Sequence, residues 1–214
     1  MRKSHTSFTP ALTATLAAAV YAIAILSLHR WDPMVFVLLG TRFTTGDPLG
    51  SEGYDGQFVY QIALRPTEAA EYLDTPAYRY QRILYPLLAH GLAAAQPALV
   101  PWALLLINLA SAGVSARMAA RLLERGQTSP WFALIIGLFA GQLLALRTDL
   151  PEPLALGGMA TMEHAQRISA MTSATEHNPS IHWPGLAVSA ILFASSALTK
   201  ETMLLTAAGY GLYL

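Results

Sequence analysis

The sequence predicts an all-α fold: a bundle of transmembrane helices with a long external loop after the first. Of the 214 residues, 54% are hydrophobic and only 12% are charged, against roughly 25% charged residues in a typical soluble domain. The charged residues lie between long uncharged stretches, several of which reach the ~20 residues that a helix needs to cross a bilayer. A charge at the bilayer centre costs about 3 kcal/mol, so this separation indicates a membrane protein.

Composition also excludes several kinds of site. The formal net charge is zero, so there is no basic surface of the kind that binds nucleic acid. The chain has no cysteine, which excludes disulfides, thiolate metal sites and thiol catalysis. Arg2 and Lys3 precede the apolar stretch 10–28, and no small-residue cleavage site follows it. We therefore expect a retained signal anchor with a cytoplasmic N-terminus.

The order of apolar stretches predicts a single transmembrane domain, residues 1–214, with about six spans. The first five are expected at 10–28, 97–116, 130–146, from Pro151 onward, and 182–198. Ser129 and Pro130 read as a helix cap followed by proline at the first helical position. The last stretch starts at Thr202 and ends with the chain after roughly 20 Å of helix, too short to cross. This predicts that the chain is the N-terminal portion of a longer protein.

Residues 29–96 are predicted to form the external loop. Within it, Gly56–Leu64 is expected to be a short helix that Pro66 ends, with Phe58 and Ile62 on one face. The stretch 78–95 is interpreted as an interfacial or half-buried helix. The reason is orientation, because a full crossing there would place the strongest basic cluster outside the cell, namely Arg117, Arg121 and Arg125.

Three charged motifs then fall on the external side of the membrane: Tyr54-Asp55-Gly56-Gln57, Arg147-Thr148-Asp149-Leu150-Pro151-Glu152 and Thr199-Lys200-Glu201. Arg79 and Arg82, three residues apart, add two guanidinium groups on one helix face. A carboxylate can take a proton from an acceptor or hold a divalent ion, and cations can neutralise a departing phosphate. We predict Asp55 and Asp149 as catalytic residues and possible metal ligands. The predicted substrate-binding residues are Lys200, Arg82, Arg79, Glu152, Gln57 and Glu201.

Each of these motifs also has a purely structural interpretation. Asp55 could cap the helix that begins at Gly56, and Asp149 with Glu152 has the spacing of a capping box. Lys200 could extend to the membrane surface with Glu201 as its partner, and the two arginines could be interfacial anchors. The mid-span amides of Asn108 and Gln142 are expected to form hydrogen bonds between helices.

The arrangement resembles the GT-C superfamily of membrane glycosyltransferases, in particular a bacterial branch associated with cell-surface glycopolymers. The resemblance rests on the order of spans and loops and on four strings: Gly53-Tyr54-Asp55-Gly56-Gln57, Tyr78-Arg79-Tyr80-Gln81-Arg82-Ile83-Leu84-Tyr85-Pro86, Asp149-Leu150-Pro151-Glu152-Pro153-Leu154 and Ala197-Leu198-Thr199-Lys200-Glu201-Thr202.

The resemblance implies a polyprenyl-phosphate-linked sugar as donor and a glycan or other extracytoplasmic acceptor. Asp55 would be the base or a metal ligand near the acceptor, Asp149 its acidic partner, and Lys200 a contact of the donor phosphate, with Arg82 as a weaker candidate. It further implies a multi-pass protein of the bacterial inner membrane, with membrane lipids around it and possibly a divalent metal ion.

Two other functional classes remain open. A transporter or flippase of lipid-linked sugars would be expected to carry ionisable groups inside its spans and paired broken helices. The predicted complete spans contain Asn108 and Gln142 but no Lys, Arg, Asp or Glu, which favours the enzyme. The third class is a non-catalytic membrane assembly subunit.

Overall fold

The computed structural model describes residues 8–158, 190–191 and 194–200, and in these ranges the chain is helical without strands. The predicted all-α class is confirmed. Residues 8–147 form nine α-helices, and helical residues 152–158 and 194–199 follow. The nine are α1 (Phe8–Leu28), α2 (Met34–Val37), α3 (Thr41–Thr44), α4 (Gly56–Leu64), α5 (Pro76–Arg79), α6 (Leu84–Leu92), α7 (Val100–Arg125), α8 (Ala133–Leu138) and α9 (Ala140–Arg147).

Within the described residues, two helical segments are long and apolar enough to cross a membrane, Phe8–Leu28 and Pro97–Arg125. A third crossing is formed if the bent pair Pro130–Leu138 and Ala140–Arg147 is counted as one span. A helix begins at Glu152, where the fourth span was predicted, and its described part ends at residue 158, so that span stays a prediction. Most of the fifth, all of the sixth, and Arg2 and Lys3 lie outside the described residues.

Small residues join α1 to its neighbours. The side of α1 that is buried carries mainly alanines, namely Ala11, Ala14, Ala18 and Ala22, and this helix packs against α7 and α8. Gly113 of α7 stands where a Cβ atom would lie 2.4 Å from the Thr15 hydroxyl oxygen. The opposite side of α1 exposes large apolar side chains, among them Leu16 and Val20. Close backbone approach through small residues is typical of helices that pack inside a membrane.

Helix α7 continues past the predicted end of the second span at residue 116 and reaches Arg125. Residues 117–125 contain no glycine or proline, and their arginines and leucines are good helix formers. The basic cluster of Arg117, Arg121 and Arg125 is therefore the last part of this helix rather than a separate turn. Its first member lies against α1, with the Arg117 guanidinium 5.2 Å from the Phe8 ring centre.

The third predicted span is broken at Phe139, where the backbone is extended (φ −66°, ψ 155°) and the two halves differ in direction by 43°. Pro130 does occupy the first turn as predicted, but the Ser129 side chain makes no capping hydrogen bond. Next to the break, a Cβ atom on Gly141 would lie 2.4 Å from the Phe139 ring. Because residue 141 is a glycine, the Phe139 ring can occupy this space.

Of the two helices predicted within residues 29–96, one is confirmed and the other is wrong. Helix α4 has the predicted bounds, Gly56–Leu64, and buries Phe58 and Ile62. The stretch 78–95 is not one helix, because α5 ends at Arg79, a 3₁₀ turn covers Tyr80–Arg82, and α6 begins at Leu84. Pro86 explains the interruption, since proline has no N–H to donate and its ring clashes with the carbonyl four residues earlier.

Helix α6 is half-buried, as that prediction required. Tyr85, Pro86 and Ala89 face the interior, whereas Leu87 and Leu88 are exposed. The buried side packs against α4 and α7. Through these contacts α6 connects the long apolar helix to the loop segment that carries the first charged motif.

Candidate functional site

Arg79 lies between two carboxylates. Its Nε and Nη2 atoms donate to Asp74 at 2.8 and 2.7 Å, and Nη2 also donates to Asp55 at 3.0 Å. Nη1 lies 3.0 Å from the second carboxylate oxygen of Asp55. The guanidinium also stacks on Phe58, 4.2 Å from the ring centre. Only 10% of the Arg79 side chain is exposed, so the protein holds this cation in one place.

These contacts stabilise the charged forms of Asp74 and Arg79. Hydrogen bonds from Arg79 hold the pKa of the Asp74 carboxyl below its usual value, although partial burial opposes this effect. Burial also opposes the charge of Arg79, but the bonds to Asp74 and Asp55 outweigh it and raise the pKa of the guanidinium. The result is a fixed cation held between two carboxyl side chains.

Asp55, Arg79 and Arg82 line a common small, open pocket with a cavity volume of about 20 Å³. The Arg82 guanidinium hydrogen-bonds to the Tyr78 hydroxyl and lies 4.5 Å from that ring's centre. The remaining walls of the pocket are apolar: Phe58, Val59, Ile62, Pro86, Leu150 and Pro151. The last two belong to the second charged motif, so this pocket joins the first two motifs predicted from the sequence.

The backbone contact that joins these motifs is made by Gly56, the residue after Asp55. A Cβ atom on Gly56 would lie 2.1 Å from the carbonyl oxygen of Thr148 and 3.3 Å from the Asp149 Cβ. Only glycine allows the N-terminus of α4 to approach the 148–151 turn this closely. The contact places the two predicted catalytic acids, Asp55 and Asp149, on adjoining segments.

Asp149 is fully buried, in a left-handed backbone conformation with φ +48°. Neither carboxylate oxygen has a hydrogen-bond partner among the described residues. Burial raises the pKa of this carboxyl well above its usual range, and the positive charge of Arg147 opposes the shift only in part. The predicted capping role is wrong, because the carboxylate bonds to no backbone N–H.

The third motif reaches the same region through an ion pair between Lys200 and Glu152. The pair is largely buried, with 20% of the lysine and 34% of the glutamate side chain exposed. The expected partner of Lys200 was Glu201, which lies outside the described residues. Glu152 keeps one oxygen, Oε2, buried without a hydrogen-bond partner in the described part of the chain.

Tyr85 lies behind these acids and is also fully buried. Its hydroxyl donates to the Leu104 carbonyl at 3.1 Å, which anchors α6 to α7. Burial raises the pKa of the Tyr85 hydroxyl, and the nearby charges of Asp149 and Glu152 raise it further. The Asp149 carboxyl and the Tyr85 phenol therefore share an environment that disfavours negative charge.

Two polar residues of the charged motifs make structural contacts: Gln57, which was predicted to bind substrate, and Arg147. The buried Gln57 side chain accepts a hydrogen bond from the Gly40 N–H at 3.0 Å and donates to the Glu52 carbonyl at 2.5 Å. It ties the loop to α4, and its contact with a substrate stays a prediction. Arg147 donates to the Val35 carbonyl at 2.5 Å, which fixes the end of α9 against the segment after α1.

Other structural interpretations of the motifs are also corrected. The Asp55 side chain makes no capping hydrogen bond to α4 and instead faces Arg79. The amides of Asn108 and Gln142 are buried, but neither has the expected hydrogen-bond partner among the described residues. Asp74 was missed by sequence reasoning. Its position five residues before Arg79, across the start of α5 at Pro76, matches no helical pair spacing.

A divalent ion fits the oxygen donors of this region in type, because Mg²⁺ and Mn²⁺ prefer carboxylates. The unpartnered oxygens of Asp149 and Glu152 are of this kind. Both oxygens of Asp55 are directed at Arg79, so Asp55 would have to leave the guanidinium to join a metal. Within the described ranges, no group of three or more His, Asp or Glu residues is placed to hold an ion.

The chain matches no family model, no curated protein and no solved structure. Functional inference therefore depends on the geometry above: a carboxylate and two guanidiniums in an apolar pocket, beside a buried acid and a partly buried lysine–glutamate pair.

Proposed function

We propose that this chain belongs to a membrane glycosyltransferase that moves a sugar from a polyprenyl-phosphate donor to an acceptor outside the cytoplasm. The observation that carries the proposal is the pocket shared by Asp55, Arg79 and Arg82. A carboxylate suits the removal of a proton from an acceptor hydroxyl, and guanidiniums suit a phosphate. Apolar walls and neighbouring membrane-length helices suit a donor with a hydrocarbon chain.

In the proposed reaction, the acceptor hydroxyl oxygen attacks the anomeric carbon of the sugar. A new glycosidic bond forms while the bond between that carbon and the lipid phosphate oxygen breaks, with inversion at the carbon. Asp55 takes the hydroxyl proton, and the electron pair of the broken bond stays on the phosphate. Arg79, Arg82 and Lys200 stabilise that charge.

The proposal includes the setting and the possible metal. The protein would lie in the bacterial cytoplasmic membrane with about six spans, a cytoplasmic N-terminus and residues 29–96 outside, and its acceptor would be a glycan of the cell envelope. The placement of basic residues before the first span and at the end of α7 supports this orientation. A divalent ion held by Asp149 and Asp55 would supply further positive charge at the departing phosphate.

The enzyme proposal is tested with purified protein in lipid nanodiscs, labelled polyprenyl-phosphate sugars supplied one at a time, and cell-envelope glycan as acceptor. Loss of a general base lowers rates by about 10²–10⁴-fold, so Asp55→Asn should lose transfer to this extent. Glu52→Gln is the matched control, because it removes an exposed carboxylate of the same loop that pairs with Arg42 instead. Full activity of Asp55→Asn would remove Asp55 from the mechanism, and absence of transfer from every donor would favour a non-catalytic assembly subunit.

One observation favours a second candidate, a transporter or flippase of lipid-linked sugars. The break at Phe139 interrupts a membrane-length segment, and the buried amide of Gln142 just beyond it has no partner in the described part of the chain. Broken helices with free polar groups are common where transporters bind their substrates. Movement of a labelled lipid-linked sugar across proteoliposomes, unaffected by Asp55→Asn, would support this candidate over the enzyme.

A further inference from the structure

The two edges of the Arg79 guanidinium are occupied by different acids. Asp74 binds the edge formed by Nε and Nη2, at 2.8 and 2.7 Å. Asp55 lies on the edge formed by Nη1 and Nη2, at 3.0 Å from each nitrogen. Each edge of a guanidinium can bind one carboxylate or one phosphate through two parallel contacts. Both edges of Arg79 are therefore filled before any ligand arrives.

The two acids are not held equally. Asp74 makes the shorter contacts, and its carboxylate also accepts the Thr75 backbone N–H at 2.7 Å. Asp55 makes the longer contacts, is 46% exposed, and lines the pocket together with Arg79. An anion that enters the pocket thus meets the Asp55 edge of the guanidinium, and Asp55 is the acid with the weaker hold.

We propose that the donor phosphate exchanges with Asp55 on the Nη1/Nη2 edge of Arg79, while Asp74 keeps the other edge in place. This inference rests on the proposed function, since it takes the lipid phosphate as the entering anion. The exchange preserves two anionic partners for the cation and avoids placing the phosphate and Asp55 on the same edge. Its consequence is an order of events: Asp55 becomes available to take the acceptor's proton only when the donor is bound.

The first experiment measures binding of farnesyl phosphate to the detergent-solubilised protein by isothermal titration calorimetry, with farnesol as the uncharged counterpart. Asp55→Asn removes the competing carboxylate and should bind farnesyl phosphate roughly five- to tenfold more tightly, as expected for loss of a partly exposed ion pair and of charge repulsion. Its affinity for farnesol should not change. Asp74→Asn should change phosphate affinity less than Asp55→Asn, and Arg79→Gln should lose the preference for phosphate over alcohol.

Glu52→Gln is again the matched control. The substitution removes the same unit of charge from the same loop, but Glu52 pairs with Arg42 and not with Arg79. It should bind farnesyl phosphate as the wild type does. An equal gain in this control would show a general effect of charge and overturn the exchange. Unchanged or weaker phosphate binding by Asp55→Asn would also overturn it.

A second measurement needs no variant and covers the case in which Asp55→Asn fails to fold. Carboxylates of the wild-type protein are labelled with a carbodiimide and glycine ethyl ester, with and without farnesyl phosphate, and quantified by mass spectrometry. Labelling of Asp55 should rise when farnesyl phosphate binds, while labelling of Asp74 stays constant. Lower labelling of Asp55 on binding would overturn the exchange but not the proposed donor. If the wild type bound farnesyl phosphate no more tightly than farnesol, the proposed donor itself would be refuted.

Discussion

The contact between Gly56 and the 148–151 turn gives a direct test of how the site is assembled. In Gly56→Ala, the new Cβ atom would lie 2.1 Å from the Thr148 carbonyl oxygen, roughly 1.3 Å short of ordinary van der Waals contact at 3.4 Å. Backbone strain does not contribute, since the φ angle of Gly56 lies outside the left-handed range. The helix and the turn must therefore separate by about 1 Å, and such overpacking costs about 1–3 kcal/mol.

A loss of about 2 kcal/mol corresponds to a decrease in Tm of roughly 4–8 °C for a chain of this size. The same displacement moves Asp55 relative to the pocket wall formed by Leu150 and Pro151. Misplacement by about 1 Å can reduce a reaction rate ~10²-fold, so we expect the proposed glycosyl transfer to fall by a similar factor. Tm is followed by intrinsic fluorescence in detergent, and transfer by the nanodisc assay.

Gly91→Ala is the control for this substitution. No atom of another described element lies within 4 Å of the position that its Cβ atom would take, and alanine is favoured over glycine within a helix by about 0.5–1 kcal/mol. Its Tm should equal or exceed that of the wild type, with unchanged transfer. If Gly56→Ala behaves in the same way, the reasoning that α4 and the 148–151 turn are in contact is refuted.

Three further predictions concern the buried polar groups. Burial raises the pKa of Asp149 above its value in the unfolded chain. The contribution of this carboxyl to stability is therefore present at acidic pH and declines as pH rises from about 4, by up to ~1.4 kcal/mol per pH unit. Asp149→Asn should remove this part of the decline in Tm with pH, and a variant with the same pH profile as the wild type would contradict the assignment. Tyr85→Phe loses the hydrogen bond to the Leu104 carbonyl and should cost about 1 kcal/mol at neutral pH by denaturant unfolding, whereas no loss would indicate that this bond does not form. Lys200→Met leaves Glu152 without its partner and should lower stability by about 1–2 kcal/mol, between the exposed and buried limits. Addition of Glu152→Gln should restore most of that loss, and additive losses in the double variant would exclude a coupled pair.

The parts of the fold that sequence predicts well are those with local signals. Helix α4 was predicted to the residue because a polar turn precedes Gly56 and Pro66 follows the helix. Pro86 was also a signal for a helix break, but the high apolar content around it led us to predict one continuous helix over 78–95. The break at Phe139 has no proline nearby, so an apolar pattern alone predicts an unbroken span there.

The candidate site depends more on contacts between distant parts of the chain. The spacing of Asp149 and Glu152 indicated a helix cap at the surface, whereas packing of α4 against Thr148 buries Asp149 completely. Asp74 has no motif of its own and acquires a role only because α5 directs Arg79 toward it. The order of the charged segments along the chain was enough to predict that they gather at one place. It was not enough to predict which acid pairs with which base.

The alanine-rich side of α1 has a consequence for how sequence change acts on this protein. Four of its six buried positions are alanines, whereas its exposed positions include bulky side chains such as Leu16 and Val20. Large apolar side chains, which usually lie in the interior of a protein, are therefore found on the outer side of α1. At Ala14 and Ala18, which are buried, side-chain volume is limiting, so a leucine there should destabilise the packing of α1 although it makes the helix more apolar. A leucine at the exposed position of Val20 should have little effect.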